Sequence, residues 1–576
     1  MGTISDKLMR IINTKEDIRQ ALISKGYDVP TSIPFKEYAK MISDLPCRVD
    51  SFPDIEGIVA RYSALGLTNE QMKENPVWVD KTGNGHDLQM KNFIWGGMSG
   101  IGGYNQNFNQ WGYGNLPPAL QTYTPHKVEL NIPSTLKTGN IYSNLGKEGD
   151  IYDFTLKIVG LKDGASLRIT KGVVSGNIER IEKDGIYKIY QPLETSWDQL
   201  RIYIVILNPN LVDLNITIEQ LPIYPGALVF DGVDDYGVCD NFPILTKEKG
   251  YTVVALRSYL AESIGYLVYN GTSAKQSAFA FERSDSLDTW SWGKNSSIRN
   301  LLPKLMSYQT SNSYNNNIIS TGTAIEGDKL IRIASVGGYS NVAIWELVFL
   351  DHDATEEELT KIKDYFVKTY PWLFPDQAWT VTGKTNEDED RATIANITGN
   401  GNDLVLSNFG FAEGSGYNEE GEYAGYLVTD GVDDKIDSSI FKLGKDFTVV
   451  GEWEFLQDIN NNSGLRKTSS FIIRNNASGL SLFINRTSQA TTVFNVKSLK
   501  AFCSNGLLVK NDWTEQIDTV SQIVTSSNSK LSIACRDDGV TEYDKFAFKN
   551  LAIYPMVLSK DDCIKAYNYL QTLKAK

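Results

Sequence analysis

The sequence has 576 residues, enough for about four folding units at roughly 150 residues each. Its hydrophobic content of 41% and its charged content of 22% exclude a globally disordered chain. A net charge of −14 disfavours nucleic-acid binding, and no apolar run approaches the roughly 18 residues of a membrane span, so we expect neither nucleic-acid binding nor membrane insertion.

The first 48 residues predict a short helical module. Its first apolar stripe begins at Ile4, a second helix runs from Thr14 to Gly26, and a third opens near Pro34. So short a module buries little core alone, so we expect it to form oligomers or to dock on a partner. The positions that we assign to anchoring are Ile4, Leu8, Ile11, Ile12, Ile18 and Leu22.

Four sequence blocks recur in the same order later in the chain, which indicates a duplicated domain. The motif Thr-Gly-Asn-Gly-x-Asp-Leu is the first block, and Asp-Gly-Val-Asp-Asp is the second. The last block reads as a strand followed by an amphipathic helix, and it aligns without a gap. The paired blocks are 82–88 with 398–404, 231–235 with 430–434, 251–254 with 447–450, and 342–366 with 546–570.

The first copy of the repeat carries a large insert. Its first two blocks lie 149 residues apart, against 32 in the second copy, so 117 extra residues separate two of its strands. Short runs rich in Ile, Val, Tyr and Leu, separated by turn clusters, predict a small β-sandwich of about 100 residues there. The predicted strands are 127–132, 152–159, 166–170, 185–190, 200–207 and 214–221.

Each repeat has the pattern of antiparallel sheet closed by a capped helix. Asn84-Gly85 predicts a hairpin, because both residues tolerate a positive φ. Thr355 precedes an acidic residue by three positions, as does Ser559, so both are predicted N-caps.

The repeat motifs resemble those of concanavalin A-like lectin/glucanase (laminin G-like) domains. Residues 7–22 together with Pro34-Phe35-Lys36-Glu37-Tyr38 resemble the short helical module at the start of many bacteriophage tail-fibre-like proteins. The combination is similar to fibre proteins of tailed phages of gut Bacteroidetes, including the crAss-like group. The resemblance covers roughly 53–110 and 223–576 for the repeats.

The expected fold is therefore mainly β, with two concanavalin A-like (laminin G-like) antiparallel β-sandwiches after the helical module. The first sandwich is expected to carry the inserted small β-sandwich. The expected domains are 1–48 for the anchoring module, 53–116 with 223–373 for the first sandwich, 117–222 for the insert, and 374–576 for the second sandwich.

The resemblance implies a structural protein of the virion, a head or tail fibre that is made in the host cytoplasm and exposed on the particle. The expected partners are sister chains in a dimer or trimer, a capsid or tail structural protein bound through the N-terminus, and a host-surface glycan. Two alternatives stay open: a bacterial glycan-binding lectin without a virion role, and a glycan depolymerase.

Aromatic residues in two segments are candidates for glycan binding. Residues 93–115 hold seven glycines and six aromatics interleaved with Asn and Gln, and sugars stack on aromatic faces while amides bind their hydroxyls. The alternative is that this loop packs against the insert or a neighbouring chain. The candidates are Trp95, Tyr104, Trp111 and Tyr113 in the loop, with Trp290 and Trp292 on one face of a strand.

Acidic residues offer weaker candidates for metal binding and catalysis. Asp231, Asp234 and Asp235 and their counterparts in the second copy supply oxygen ligands suited to Ca²⁺, but Asp before Gly is more typical of a turn. Glu452 and Glu454 share a strand face in retaining-glycosidase spacing, yet a pair of surface acids is the favoured interpretation. We therefore expect no metal, no cofactor, no catalytic residue and no enzyme activity.

Overall fold

We describe a computed structural model of the chain, which divides into two compact units, Met1–Asp54 and Ile55–Lys576. The six predicted anchoring residues lie outside the described residues. The described residues are 52–113, 116–136, 138–143, 151–162, 164–171, 175–192, 200–206, 213–245, 250–261, 263–270, 279–285, 288–290, 299–302, 305–310, 329–335, 338–421, 423–457, 462–467, 470–476, 479–484, 490–494, 497–511, 513–517, 527–535 and 543–575.

The second unit is mainly β, as predicted, and its strand pairs are antiparallel. The strands before the insert are β1 Ile58–Ser63, β2 Val77–Trp78, β3 Leu88–Lys91 and β4 Gly100–Ile101. Those in and near the insert are β5 Gly112–Tyr113, β6 Gln121–Tyr123, β7 Lys127–Ile132, β8 Thr138–Tyr142, β9 Ile151–Val159, β10 Ala165–Lys171, β11 Ser175–Ile181, β12 Gly185–Pro192, β13 Leu200–Ile206 and β14 Leu214–Gln220.

The strands of the two repeats continue in chain order. Those after the insert are β15 Leu228–Asp231, β16 Tyr236–Cys239, β17 Thr252–Tyr259, β18 Ser263–Asn270, β19 Phe279–Asp285, β20 Asp288–Trp290, β21 Arg299–Leu302, β22 Met306–Thr310, β23 Ile331–Ile333 and β24 Asn341–Leu350. Those of the second repeat are β25 Gln377–Thr380, β26 Thr393–Ile394, β27 Leu404–Ser407, β28 Gly416–Asn418, β29 Tyr426–Val428, β30 Lys435–Ser438, β31 Phe441–Leu443, β32 Thr448–Phe455, β33 Asn462–Lys467, β34 Phe471–Asn476, β35 Gly479–Ile484, β36 Ala490–Phe494, β37 Leu499–Cys503, β38 Leu507–Lys510, β39 Glu515–Ile517, β40 Ser527–Ser529, β41 Leu531–Ile533 and β42 Phe546–Tyr554.

Each repeat is built from two large sheets with an apolar core drawn from both. In the first repeat the sheets run β21-β22-β17-β24-β15-β4, with β1 also on β24, and β2-β3-β16-β23-β18-β19-β20. In the second they run β28-β29-β42-β32-β37-β38-β39, with β25 also on β42, and β26-β27-β30-β41-β33-β34-β35-β36. Strands β31 and β40 form a separate pair. This sheet-on-sheet arrangement is that of a β-sandwich.

The insert has its own two five-stranded sheets and its own core. The sheets run β11-β10-β13-β8-β5 and β12-β9-β14-β7-β6. Gln106 and Gln220 bond reciprocally, with Gln106 N donating to Gln220 Oε1 at 3.0 Å and Gln220 Nε2 donating to the Gln106 carbonyl at 3.3 Å. These bonds attach the loop that leaves the first repeat to the last strand of the insert. The expected domain boundaries stay predictions.

Helices are few among the described residues: α1 Asn69–Glu74, α2 Glu356–Thr369 and α3 Lys560–Leu570, with 3₁₀ turns at Phe108–Gln110, Pro118–Leu120 and Pro371–Leu373. The predicted caps are confirmed. The Thr355 hydroxyl accepts from the backbone of Glu358 and the Ser559 hydroxyl from the backbone of Asp562. Within the part of the chain that the structure describes, no helix has the length and apolarity to cross a membrane.

The strands on either side of Asn84-Gly85 pair antiparallel, as predicted, but a loop longer than a two-residue turn connects them. It joins β2 to β3, and Trp78 pairs with Leu88 across it. The Asp80 carboxylate organises the loop, because its Oδ1 accepts from the backbone of Arg61 at 3.0 Å and from the Thr82 hydroxyl at 2.8 Å. A buried carboxylate that satisfies several donors replaces the two-residue turn that the Asn-Gly pair predicts.

The duplication extends to unusual backbone conformations. Non-glycine residues with positive φ are uncommon. Six of the eight such residues in the described part of the chain form matching pairs in the two repeats: Asn92 and Asn408 (both 69°), Trp95 and Phe411 (52° and 50°), and Ala334 and Ala534 (58° and 64°). Both copies therefore share local geometry as well as motifs.

Helix α3 is shared between the two repeats. It closes the second repeat, yet its Tyr569 ring meets Trp345 of the first repeat edge-on at 6.3 Å. The Lys565 ammonium lies 4.2 Å from the Trp372 ring centroid, and Tyr554 of β42 donates to the Trp372 carbonyl at 2.9 Å. Because α3 packs on both repeats, it fastens them into one body.

A fully buried carboxylate of the first repeat is paired with a buried arginine. Arg61 on β1 bonds Glu346 on β24 with both Nε (3.1 Å) and Nη2 (3.3 Å), and Tyr370 donates to the same carboxylate at 2.8 Å. Burial raises the pKa of Glu346, and Arg61 opposes that rise. The equivalent positions in the second repeat, given by the shared strand register, are Ala378 and Asn550.

Candidate functional site

The loop predicted to bind glycans begins inside the core of the first repeat. Trp95 is 6% exposed and stacks on Phe93, with ring centroids 4.6 Å apart. Phe93 in turn meets Phe230 of β15 edge-on at 5.1 Å. Because its ring is buried against other aromatic rings, Trp95 has no free face on which a sugar could stack, and it acts in packing.

The middle of the same loop packs against the insert. Tyr104 is 8% exposed and stacks on His126, with ring centroids 5.1 Å apart. Trp111 is 7% exposed and meets Phe108 edge-on at 4.9 Å in the core of the insert. Burial raises the pKa of Tyr104 and lowers that of His126. The alternative role of the loop, packing against the insert, therefore accounts for these residues.

The remaining glycan candidates are placed only in part. Tyr113 lies on β5 and Trp290 on β20, where the structure describes the strand but not the side chains. Trp292 lies outside the described residues. Trp95, Tyr104 and Trp111 are therefore too buried to form an exposed aromatic platform.

The Asp-Gly-Val-Asp-Asp turn of the first repeat is closed by its own carboxylates. The fully buried Asp235 accepts at Oδ2 from the backbone of Asp231 (3.1 Å) and at Oδ1 from the Ser99 hydroxyl (3.0 Å). Asp231 Oδ1 accepts from the backbone of Val233 at 2.8 Å. Carboxylates that satisfy backbone donors in this way define an Asx-type turn.

The second repeat reproduces this turn bond for bond. Asp434, also fully buried, accepts from the backbone of Asp430 (2.8 Å) and from the Ser415 hydroxyl (3.1 Å). Asp430 accepts from the backbone of Val432 at 2.8 Å. In each copy the three aspartates have oxygens within 4.8 Å of one another. The hydrogen bonds give two of the three a structural role in both repeats.

Substituting both buried turn carboxylates should change how stability depends on pH. Burial raises the pKa of Asp235 to about 7 and that of Asp434 to about 6, and the serine and backbone donors oppose the rise. A carboxyl with a raised folded pKa contributes stability that is complete below about pH 4 and is lost as pH rises to about 7. Asn at both positions can still accept from the backbone and donate to the serine.

The Asp235→Asn, Asp434→Asn variant should therefore gain stability relative to the natural chain as pH rises from 4 to 7, by on the order of 5 kcal/mol. Urea denaturation across pH 4–8 measures this difference. Glu413→Gln, at an exposed carboxyl, is the matched control and should leave the pH profile unchanged. Parallel profiles for the double variant and the natural chain would contradict the prediction.

A polar cluster around Glu452 lies between β32, β37 and α3. The Glu452 carboxylate accepts from the Tyr426 hydroxyl at 2.8 Å and lies 3.9 Å from the Lys500 ammonium. Lys500 donates to the Tyr567 hydroxyl at 2.8 Å. The Glu452 side chain is 14% exposed, so the interpretation of Glu452 as a surface acid is wrong.

The charges of this cluster determine what it can do chemically. Burial alone would raise the pKa of Glu452, but Lys500, Lys549 and the Tyr426 hydroxyl outweigh it and lower that pKa to about 2. Burial also lowers the pKa of Lys500. A carboxyl that is ionised at all ordinary pH values is a poor general acid and a weak general base. The geometry therefore suits a structural ion cluster.

Sequence reasoning missed the partners of Glu452 because they come from separate elements. Tyr426 lies on β29, Lys500 on β37 and Tyr567 on α3, and no local spacing joins them. The charge of Lys188 in the insert also lowers the pKa of Glu452, so the insert lies near this cluster. A signal was present only in the alternation of Glu452 and Glu454 around buried Trp453.

Comparisons with known proteins give no family. No family model matches the chain, and no curated protein matches it. Among solved structures, Trypanosoma rangeli sialidase in complex with sialic acid is 8% identical, with 78% of this chain and 83% of that chain covered and a TM-score of 0.23. A T. rangeli sialidase mutant with trans-sialidase activity is 8% identical over 79% and 84%, with a TM-score of 0.25.

A point mutant of HCR/D is 10% identical, with 58% of this chain and 85% of that chain covered and a TM-score of 0.21. Overall superposition at this level supports no argument about fold or function.

Proposed function

We propose that this chain is a non-enzymatic structural protein of a tailed-phage virion, a head or tail fibre anchored by residues 1–48. Its lectin-like sandwiches would face outward and adhere to a host-surface glycan. The proposal begins from the sequence resemblance of the repeats and of the N-terminal stretch to fibre proteins.

The observation that carries the proposal is the division of the chain into Met1–Asp54 and a large β unit, Ile55–Lys576. In the β unit, α3 packs on both repeats through Tyr569 and Lys565. A large β unit preceded in the chain by a short separate unit is consistent with an anchored appendage.

The chemistry of the repeats supports a non-enzymatic role. The polar motifs that both copies share, around Asp235 and Asp434, are engaged in closing turns. Glu452, the best catalytic carboxylate that the sequence offers, is held ionised in a buried cluster. Duplicated polar residues that serve packing in both copies are typical of a scaffold.

Glycan adhesion, if it uses the aromatic candidates, falls to Tyr113, Trp290 and Trp292, because Trp95, Tyr104 and Trp111 are buried. A glycan array separates the proposal from its lectin alternative. Sugar binding by a chain that neither oligomerises nor binds virion proteins would favour the lectin.

Disrupting the anchoring stripe in the full chain tests the proposal. The natural chain should have two or three times the 64.3 kDa mass of one chain, and Ile4→Lys with Leu8→Lys and Ile11→Lys should reduce it to one chain. Charges placed in a small apolar contact oppose its burial. Multi-angle light scattering measures the mass, and binding to purified virion proteins measures the docking.

The matched control places lysine at exposed apolar positions of the β unit. Val233 and Val432 are 69% and 70% exposed, so Val233→Lys with Val432→Lys should leave the mass unchanged. A monomeric natural chain that binds no virion protein, or an oligomer that survives the anchoring substitutions, would refute the proposed anchor.

A further inference from the structure

A histidine lies where the insert meets the first repeat. His126 directly precedes β7 of the insert, and its ring stacks on Tyr104 of the loop that leaves the first repeat, with centroids 5.1 Å apart and ring planes 17° apart. Its Nδ1 lies 4.0 Å from Oε1 of Glu70, on α1 of the first repeat. The His126 side chain is 16% exposed, so groups from both parts of the molecule enclose the ring.

The backbone around this histidine is closely packed. The Pro125 carbonyl accepts from the backbone of Phe108 at 2.8 Å, and the His126 carbonyl accepts from the backbone of Gln220 at 2.8 Å. Pro125 approaches Gly96 so closely that a Cβ on Gly96 would lie 2.7 Å from Pro125 Cβ. Bonds between neutral backbone groups do not titrate, so the charge of this joint changes only through its side chains.

We infer that His126 is an acid-sensitive contact, which holds the insert against the first repeat at neutral pH and loosens that joint at acidic pH. Histidine is the side chain that ordinarily changes charge between pH 5 and 8. The other two histidines of the chain lie elsewhere, since the His86 ring packs against Phe242 and the His352 ring lies beside Glu358.

The enclosed Nδ1 atom makes the protonated ring unfavourable. It is buried and has no hydrogen-bond partner among the described residues. In neutral imidazole one nitrogen donates and the other accepts, whereas both donate in the cation. The Glu70 oxygen, at 4.0 Å, lies beyond hydrogen-bond distance of Nδ1. Protonation would therefore leave a charged donor buried without an acceptor, which is costly.

Charged neighbours from three elements act on the ring in opposite directions. Glu70 on α1 and Glu219 on β14 favour the protonated form, whereas Lys127 on β7 opposes it. Burial outweighs the two carboxylates, and the pKa of His126 is lowered from its ordinary value. Burial also raises the pKa of Tyr104, so that side chain stays neutral at acidic and neutral pH.

The direction of this pKa shift gives the sign of the pH effect. A histidine with a lowered folded pKa contributes stability that is complete above its unfolded pKa, about 6.5, and is lost as the pH falls through the folded pKa. Acid therefore weakens this joint. The buried turn carboxyls Asp235 and Asp434 have the opposite sign, because their contribution is lost as the pH rises.

Hydrogen–deuterium exchange of the full chain at about pH 7.5 and about pH 5, with labelling times scaled for the intrinsic rate, tests the inference. Peptides that span 96–108 and 121–126 should lose protection at the lower pH. His126→Phe keeps a ring on Tyr104 but cannot titrate, so it should keep those peptides protected at both pH values. His352→Asn, the matched control outside the joint, should respond like the natural chain.

A second variant distinguishes titration from packing. Glu70 favours the protonated ring, so Glu70→Gln should move both the titration of His126 and the loss of protection to lower pH. The Glu70 side chain is 55% exposed, so this substitution leaves the packing of the joint in place. Magnetic resonance of isotope-labelled histidine rings follows the titration, and the signal that is missing in His126→Phe is that of His126.

Three results would overturn the inference: equal protection of the natural chain at both pH values, a loss of protection that persists in His126→Phe, or a titration of His126 that Glu70→Gln leaves unmoved. If His126→Phe fails to fold, the exchange of the natural chain and of Glu70→Gln decides the matter. None of these outcomes depends on a virion role, so the failure of one proposal is distinguishable from the failure of the other.

Discussion

Glu346→Gln should lower the free energy of unfolding by about 3–5 kcal/mol, because it leaves the guanidinium of Arg61 buried without its counter-charge. The Glu346 side chain is fully buried and that of Arg61 is 5% exposed. Burial on this scale makes an unpaired charge costly, whereas an exposed pair contributes little. Guanidinium denaturation followed by tryptophan fluorescence measures the loss.

A double-mutant cycle separates the charge from the packing. Arg61→Met with Glu346→Gln removes both charges and should lower the free energy of unfolding less than Glu346→Gln alone. The second repeat has the neutral residues Ala378 and Asn550 at the equivalent positions, so the fold does not require the charges. Glu357→Gln breaks an exposed pair with Lys361 and should change stability by less than about 0.5 kcal/mol. A loss below about 1 kcal/mol for Glu346→Gln would contradict the prediction.

Trp345→Ala should lower the free energy of unfolding by a similar amount, and it should also weaken the contact between the two repeats. Trp345 is fully buried, donates from Nε1 to the Pro225 carbonyl at 2.9 Å, and packs edge-on against Tyr224 and Tyr569. Removing a buried tryptophan costs about 3–5 kcal/mol through lost burial and the cavity left behind. Since one of its partners is on α3, the substitution should also loosen the two repeats from each other.

Scanning calorimetry distinguishes the two effects. The natural chain should unfold its repeats together, and Trp345→Ala should split the transition so that the first repeat melts before the second. Trp345→Phe keeps a ring against Tyr569 and should retain one transition. Val432→Ala, at a position 70% exposed, should change nothing measurable. An unsplit transition in Trp345→Ala would mean that α3 does not couple the repeats.

Local sequence patterns predicted most of the strands of the insert. The run Lys127–Ile132 is a strand with the predicted bounds, and the run predicted at 200–207 forms Leu200–Ile206. Thr138–Tyr142 and Ser175–Ile181 were missed, because each begins with polar residues and glycine. Their neighbours in the sheet supply the pairing that their own composition does not indicate.

Helix caps were predictable because a cap spans only four residues, as at Thr355 and Glu358. The ion pair of Arg61 with Glu346 was not, because its members lie 285 residues apart and neither stands in a recognisable pattern. The loop at Trp95 illustrates the opposite error: glycines and aromatics suit a sugar site, but here the aromatic rings pack in the core of the first repeat and against the insert.

The place of α3 in the chain has a consequence for biosynthesis. Trp345 lies on β24, which is complete at Leu350, whereas α3 begins at Lys560, about 210 residues later. At roughly 5–20 residues per second, a ribosome needs about 10–40 s to cover that distance. During this interval the apolar surface of a nascent first repeat that α3 later covers stays exposed to solvent, so chaperone capacity and translation speed should govern the yield of native protein.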